Sequence, residues 1–262
     1  MRIGERSVDD EWLRMEDVSF GQVLETINLT CKSGELVGLI GPNGAGKSTL
    51  LRILAGVWQP TGGQVYLKGR LLEELSRRER AKQMAYLPQQ MPENVLFSVE
   101  QYVEMGRYAY RTPWASLGND SKQAITHALE TLDLLLYRNE FLEHLSGGER
   151  QRVGIARCIA QGSPVIVLDE PVSNLDVYYQ LDIFRHLKRL ADKGYLVIVA
   201  IHHLELAARF CTKLVLLHEG SIYSEGDPGR VLTEDALQDV FHVSAKTFAD
   251  PHGGFLRVSH LV

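Results

Sequence analysis

Apolar residues fall along this chain in distinct rhythms, and the changes between them mark out its elements. Residues 12–20 and 26–31 alternate apolar and polar positions over strand length, which predicts antiparallel strands. Residues 36–40 form a short buried strand, and residues 64–70 resemble a further one. Between these two lies Pro60-Thr61-Gly62-Gly63, a cluster of turn formers. Residues 84–89, MAYLPQ, read as a short apolar strand that ends at a proline and a glutamine.

From there to about residue 160 the period becomes helical. One helix is marked by Asp120 as a cap with Gln123 three positions on. Its apolar face would hold Ile125, Ala128, Leu129, Leu132, Leu135 and Leu136. Beyond it, residues 165–168 and 195–201 are apolar runs without alternation, the pattern of strands covered on both faces, as in a parallel sheet; residues 179–192 read as a helix between them. Residues 213–217 and 221–223, joined through Glu219-Gly220, predict a hairpin, and the tail from Thr233 a helix followed by an extended end. No internal repeat or low-complexity tract is visible.

The expectation is one α/β domain over residues 12–262, preceded by a solvated extension at 1–11. A mainly parallel core and an antiparallel β subdomain would occupy residues 12–89 and 161–262, with an inserted helical subdomain at 90–160. With 262 residues, 45% of them hydrophobic, the chain can bury a real core. A net charge of −5, from 28 Lys and Arg against 33 Asp and Glu, argues against a broad surface for nucleic-acid backbone. Cys31, Cys158 and Cys211 lie far apart without metal-binding spacing, which fits thiols in a reducing compartment. No stretch reaches the roughly 18 apolar residues needed to span a bilayer, and the amino terminus carries charges where a secretory leader needs an apolar core. A cytoplasmic polypeptide that reaches any membrane through a partner is expected.

Chemistry enters at Gly41-Pro42-Asn43-Gly44-Ala45-Gly46-Lys47-Ser48-Thr49, which fits G-x-x-x-x-G-K-[ST] between a predicted strand and a predicted helix. Glycines let the backbone curl so that N–H groups point inward, and the helix adds its positive end. Lys47 would reach the β- and γ-phosphates of ATP, Ser48 would join a Mg²⁺ shell, and Thr49 would contact the α-phosphate. This places the chain among P-loop NTPases; the competing reading is a glycine-rich turn with a chance lysine. The strand at 165–168 delivers Asp169 and Glu170 at its carboxyl end, where ligands bind in open α/β sheets. Asp169 would serve Mg²⁺ and Glu170 would act as general base, although such a pair before a proline also occurs in ordinary turns.

A second anion-binding helix start follows at Leu145-Ser146-Gly147-Gly148-Glu149. LSGGE resembles the signature of ATP-binding-cassette ATPases, and the resemblance extends from about Trp12 to the tail. It implies that Gln89 contacts Mg²⁺ and water, that Ser173-Asn174-Leu175-Asp176 lies at a dimer interface, and that His202 holds the γ-phosphate. His203 departs from the family's frequent aspartate; read by themselves, His202 and His203 could be a metal pair or core histidines. Phe20 either stacks on adenine, where the family more often has tyrosine, or packs in the core.

The resemblance further implies a second copy of the chain closing over each ATP, and separate membrane-embedded permease subunits. These would dock near residues 89–114, where Tyr108, Tyr110 and Trp114 cluster; the same aromatics could instead pack the helical region. The segments SVEQYVEMGRY and VLTEDALQDVFHV look like the subfamily that energises uptake of iron-siderophore, haem or cobalamin chelates, which would add a solute-binding protein as an indirect partner. A peripheral position on the cytoplasmic face of the inner membrane follows. Rival readings are an ABC ATPase of another importer or of an exporter, a nucleic-acid-associated cassette protein, or a small-molecule kinase, which would need neither LSGGE nor SNLD.

Overall fold

The computed structural model describes residues 11–89, 96–111, 118–173 and 175–243, and the backbone of residues 245–249 and 256–260. The expected solvated extension, Asn174 and Trp114 lie outside the described residues.

The chain begins with β1 (Glu11–Phe20), β2 (Leu24–Lys32), β3 (Leu36–Ile40), α1 (Lys47–Leu54), β4 (Gly62–Leu67), β5 (Arg70–Leu71), α2 (Arg77–Gln83) and β6 (Met84–Leu87). Helices α3 (Val99–Glu104), α4 (Asn119–Thr131) and α5 (Gly147–Gln161) come next. Then follow β7 (Val165–Asp169), α6 (Val177–Asp192), β8 (Leu196–Ala200), α7 (Leu204–Phe210), β9 (Lys213–His218) and β10 (Ser221–Gly226). The chain closes with α8 (Pro228–Val231), α9 (Glu234–Phe241) and the backbone hairpin of β11 (Ala245–Ala249) and β12 (Leu256–His260).

Two sheets organise these elements. A six-stranded sheet runs β10-β9-β3-β8-β7-β6, parallel except for the edge strand β10. A four-stranded antiparallel sheet runs β2-β1-β4-β5. Strands β3, β7 and β8 are buried at every position, because alternate side chains enter two different cores. On one face Val37, Val165, Val167 and Ile198 pack with α1 and the four-stranded sheet. On the other Leu36, Ile166, Leu168 and Val199 pack with α5, α6 and α7.

Three local expectations are corrected. The strand expected at 64–70 stops at Leu67, where Lys68 and Gly69, both with positive φ, make a two-residue hairpin turn into β5. The capping box at Asp120 does not form: α4 starts at Asn119 behind Gly118, with Asp120 inside its first turn. Its apolar face also ends early. Ile125, Ala128, Leu129 and Leu132 are buried, but the helix stops at Thr131 and Asp133 adopts φ 54°. Aspartate tolerates that left-handed geometry, and the turn swings Leu135 and Leu136 outward, the latter 95% exposed.

All three cysteines are buried, and burial pushes the thiols of Cys31 and Cys211 up to about 12. Thiolates are the reactive species, so a chromogenic disulfide reagent at pH 8 should label no cysteine of the native protein and all three in denaturant. Stoichiometric labelling without denaturant would contradict this core.

Candidate nucleotide site at the carboxyl ends of four neighbouring strands

Four adjacent parallel strands present their carboxyl ends together, and each delivers one part of the site: β3 the glycine-rich loop, β8 His202, β7 Asp169 and Glu170, and β6 Gln89. The loop is built where side chains cannot fit. Gly41 has φ 146°, and a Cβ there would lie 2.2 Å from the Leu217 carbonyl oxygen. Gly46, at φ 100°, precedes α1 and would drive a Cβ to 2.6 Å from Leu24 Cδ2. With glycine in this cap position no side chain caps α1, so its first N–H groups stay available to an anion. Asn43 and Gly44 are exposed at the rim, Pro42 is half-buried, and Ala45 anchors the loop inward.

Lys47 is 5% exposed and folds over its own loop, donating to the carbonyls of Gly41 at 2.7 Å and Pro42 at 2.9 Å. Burial lowers its pKa, while the carboxylates of Glu170 and Asp169 pull it back up. Ser48 Oγ donates to Asp169 Oδ1 at 2.9 Å, which ties α1 to β7 across the intervening strand; Thr49 beside it is half-buried.

Asp169 is 1% exposed, and its Oδ2 has no hydrogen-bond partner among the described residues. Burial raises its pKa. A buried carboxylate oxygen left open beside a serine hydroxyl is a hard-oxygen set that suits Mg²⁺. Glu170 stands at φ 50°, a conformation that non-glycine residues rarely adopt. Its carboxylate is held from two sides: Gln89 Nε2 donates to Oε2 at 2.6 Å, and His202 Nε2 meets Oε1 in a short contact. Ser173 returns its hydroxyl to the Glu170 carbonyl at 3.0 Å, bracing the turn. His203 diverges to Gln180, 3.3 Å away, so the adjacent histidines do not converge on one point.

Residues 145–149 form a separate construction. Ser146 and Glu149 make a capping box for α5, and Glu149 Oε2 accepts from the Ser146 N–H at 2.8 Å and its hydroxyl at 2.7 Å. The Ser146 hydroxyl, with Tyr137 assisting, holds the Glu149 carboxyl below its usual range. A Cβ on Gly148 would lie 2.9 Å from the Tyr179 ring, and one on Gly147 3.8 Å from Leu175 Cδ2. Leu145 is buried, while Ser146 and Gly147 are exposed. Asp176 caps α6 by accepting from the Tyr179 N–H at 3.1 Å. Among the described residues no hydrogen bond joins 145–149 to the loop at 41–49.

Phe20 stacks on Trp58, ring centroids 5.3 Å apart at 10°, and the Arg52 guanidinium sits 4.7 Å above the Trp58 ring. One face of Phe20 is thereby taken by an indole. Trp58 and Arg52 escaped the sequence reading, since nothing in the spacing of Phe20 and Trp58 brings them together. A cleft of about 340 Å³ beyond the end of α1, lined by Trp58, Pro60, Leu72 and Arg80 among others, contains none of the carboxylates described above.

A curled glycine loop facing a buried strand-end carboxylate defines a phosphate-loop nucleotide site. The chain belongs to the ABC transporter family, whose model matches residues 24–173. It is 36% identical over 230 residues to the iron(3+)-hydroxamate import ATP-binding protein FhuC of Bacillus subtilis, covering 87% of this chain and 86% of that protein. It is 39% identical over 252 residues to the hemin import ATP-binding protein HmuV of Pseudomonas entomophila, covering 94% and 97%. It is 38% identical over 242 residues to the cobalamin import ATP-binding protein BtuD of Halobacterium salinarum, covering 92% of this chain but spanning only 60% of that relative's length. Among solved structures, a chain of a metal-chelate type ABC transporter in an inward-facing conformation superposes with a TM-score of 0.84 at 26% identity, covering 97% of this chain and 98% of that one. A bacterial ABC transporter cassette solved as a dimer gives 0.73 at 30% identity, covering 82% and 98%.

The loop yields a direct test. Gly41→Ala must leave its φ of 146° or push into Leu217, and such strain costs about 1–3 kcal/mol. Binding of a fluorescent ATP analogue should weaken about 10-fold or more, with far-UV circular dichroism unchanged. Binding at wild-type strength would contradict the loop geometry.

Proposed function

We propose that this chain is the ATP-hydrolysing subunit of a transporter, that two copies close around two ATP molecules, and that its cargo is a metal chelate of the iron-siderophore, haem or cobalamin kind. The reading is carried by one observation: Glu170 is clamped between Gln89 and His202 beside the phosphate loop, while Ser146, Gly147 and Gly148 engage nothing of that loop. The cargo class rests on the names of the relatives. In this reading residues 90–160 act as the helical signature subdomain, and 12–89 with 161–262 as the core.

Residues 41–49 cradle the triphosphate, with Lys47 exchanging its carbonyl partners for β- and γ-phosphate oxygens. Ser48, Asp169 and Gln89 are the groups that would hold Mg²⁺, which when bound neutralises phosphate charge. Glu170 takes a proton from water as the water oxygen bonds to the γ-phosphorus, and the bond to the bridging oxygen breaks toward ADP. His202 orients Glu170 and the departing phosphate. Residues 145–149 and 173–176 of one copy cover the nucleotide of the other, so loss of the γ-phosphate loosens the pair.

Among the described residues no helix is long and apolar enough to cross a membrane. A peripheral place on the cytoplasmic face, through permease subunits, is proposed from the likeness to import ATP-binding proteins. A groove of about 440 Å³ lined by Phe97, Gln101, Glu104, Met105, Tyr108 and Arg111 would take side chains of a short permease helix. Tyr108 is 80% exposed there, and the Glu104–Arg111 pair, 3.6 Å apart, offers both signs of charge at the rim.

Two experiments separate the parts of this reading. Glu170→Gln should lower the ATPase rate about 10²–10⁴-fold while ATP binding persists, and should accumulate an ATP-dependent dimer in size-exclusion chromatography. Wild-type turnover would remove Glu170 from the role of base. Tyr108→Asp should abolish co-purification with the membrane subunits and leave the nucleotide affinity of the isolated chain unchanged; retained co-purification would move the docking surface elsewhere.

A further inference from the structure

One buried hydroxyl near the site is used by none of the steps above. Tyr86 lies on β6, three residues before Gln89, and its backbone pairs with Val167 of β7 in parallel register. Side chains alternate along a strand, so Val165, Val167 and Asp169 leave β7 on the same face, the one packed against α1. Met84 and Tyr86 leave β6 on that face too. Tyr86 is thus the diagonal neighbour of Asp169 across the strand pair.

α1 covers this corner with Ser48 and Arg52, four residues apart and so on one side of the helix. Ser48 already donates to Asp169 Oδ1. Two polar atoms beside that bond are buried and complete no hydrogen bond among the described residues: Tyr86 Oη and Asp169 Oδ2. One is a donor and the other an acceptor. Burial, and next the Asp169 charge, push the Tyr86 phenol up, while Arg52 opposes them. A phenylalanine would fill the same space without leaving a hydroxyl to satisfy.

We propose that Tyr86 is a positioning residue for Asp169: its hydroxyl donates to Oδ2 and holds the carboxylate in the rotamer that keeps Oδ1 facing Ser48. The same short strand then steadies the carboxylate that would serve Mg²⁺ and, through Gln89, the one proposed as base. The inference rests on the reading of Asp169 as a metal-site residue, and the test separates the two.

Full-length wild type, Tyr86→Phe and Asp169→Asn would be compared with a non-hydrolysable ATP analogue. Free Mn²⁺ would be followed by electron paramagnetic resonance, and nucleotide binding measured again in EDTA. Tyr86→Phe should weaken Mn²⁺ binding about 10-fold, within the range of outer-shell partners, and leave metal-free nucleotide binding and the melting temperature unchanged. Tyr86→Phe that binds Mn²⁺ like wild type, when Asp169→Asn does not, overturns the role of Tyr86 alone. If Asp169→Asn also binds Mn²⁺ normally, the metal reading of Asp169 falls and this inference with it. If Tyr86→Phe loses metal-free nucleotide binding in equal measure, the tyrosine merely packs the corner and the positioning role is overturned.

Discussion

Asp169 and Glu170 are consecutive, yet the site needs them on different sides of one strand end. A strand achieves this through its pleat: Asp169 continues the Val165–Val167 row into the α1 face, where Ser48 meets it. Glu170 then breaks from the extended conformation at φ 50°, which carries its carboxylate toward Gln89 and His202. Such a conformation persists only where the surroundings enforce it. Here the enforcement comes from both flanking strands, β6 through Gln89 and β8 through His202, and from Ser173 gripping the Glu170 carbonyl. The parallel sheet is therefore more than a scaffold. Its fixed strand spacing determines the separation of the loop, the two carboxylates and their holders.

Charge is handled by the same geometry. Lys47 and Asp169 are both nearly inaccessible, and an isolated buried charge is costly. For Lys47 part of that cost is offset, since Glu170 and Asp169 oppose the drop in its pKa that burial causes. Lys47 also spends two of its three donor positions on the Gly41 and Pro42 carbonyls, which the curled loop turns toward it. An ammonium on a flexible stem can trade carbonyl oxygens for phosphate oxygens without rebuilding the loop.

Much of this was legible in the sequence, and the reasons differ from residue to residue. β3, β7 and β8 announced themselves because strands covered on both faces are apolar throughout. The meeting of Ser48 with Asp169 was readable because a strand-to-helix glycine loop and a strand-end carboxylate fall at the same edge of a parallel sheet. Helix α2 was not: its sequence RRERAKQ buries none of its residues, so it has no apolar period, and only the Ser76–Glu79 capping box betrays it. Leu135 and Leu136 extended a helical period that the backbone abandons at Asp133, a change of direction that periodicity does not record. The stacking of Phe20 on Trp58 joins β1 to the loop after α1, a tertiary contact with no local trace.

The turn at residues 145–149 bears on the proposed pairing of two copies. Ser146 and Glu149 satisfy each other, while the exposed Gly147 and the buried Gly148 keep side chains away from the helix start. Tyr179 fills the space under Gly148, and Asp176 caps the helix that carries Tyr179, so Asp176 is linked to the turn at 145–149 through Tyr179. The capping box takes the N–H groups of Ser146 and Glu149, and any remaining N–H at this helix start has electrostatic use only where an anion can reach it. Within one chain the phosphate loop makes no hydrogen bond to it among the described residues, and in the proposed reading a second copy supplies the anion. In that proposed arrangement the γ-phosphate would be the group shared between the two copies, and its removal would withdraw the charge that both hold in common.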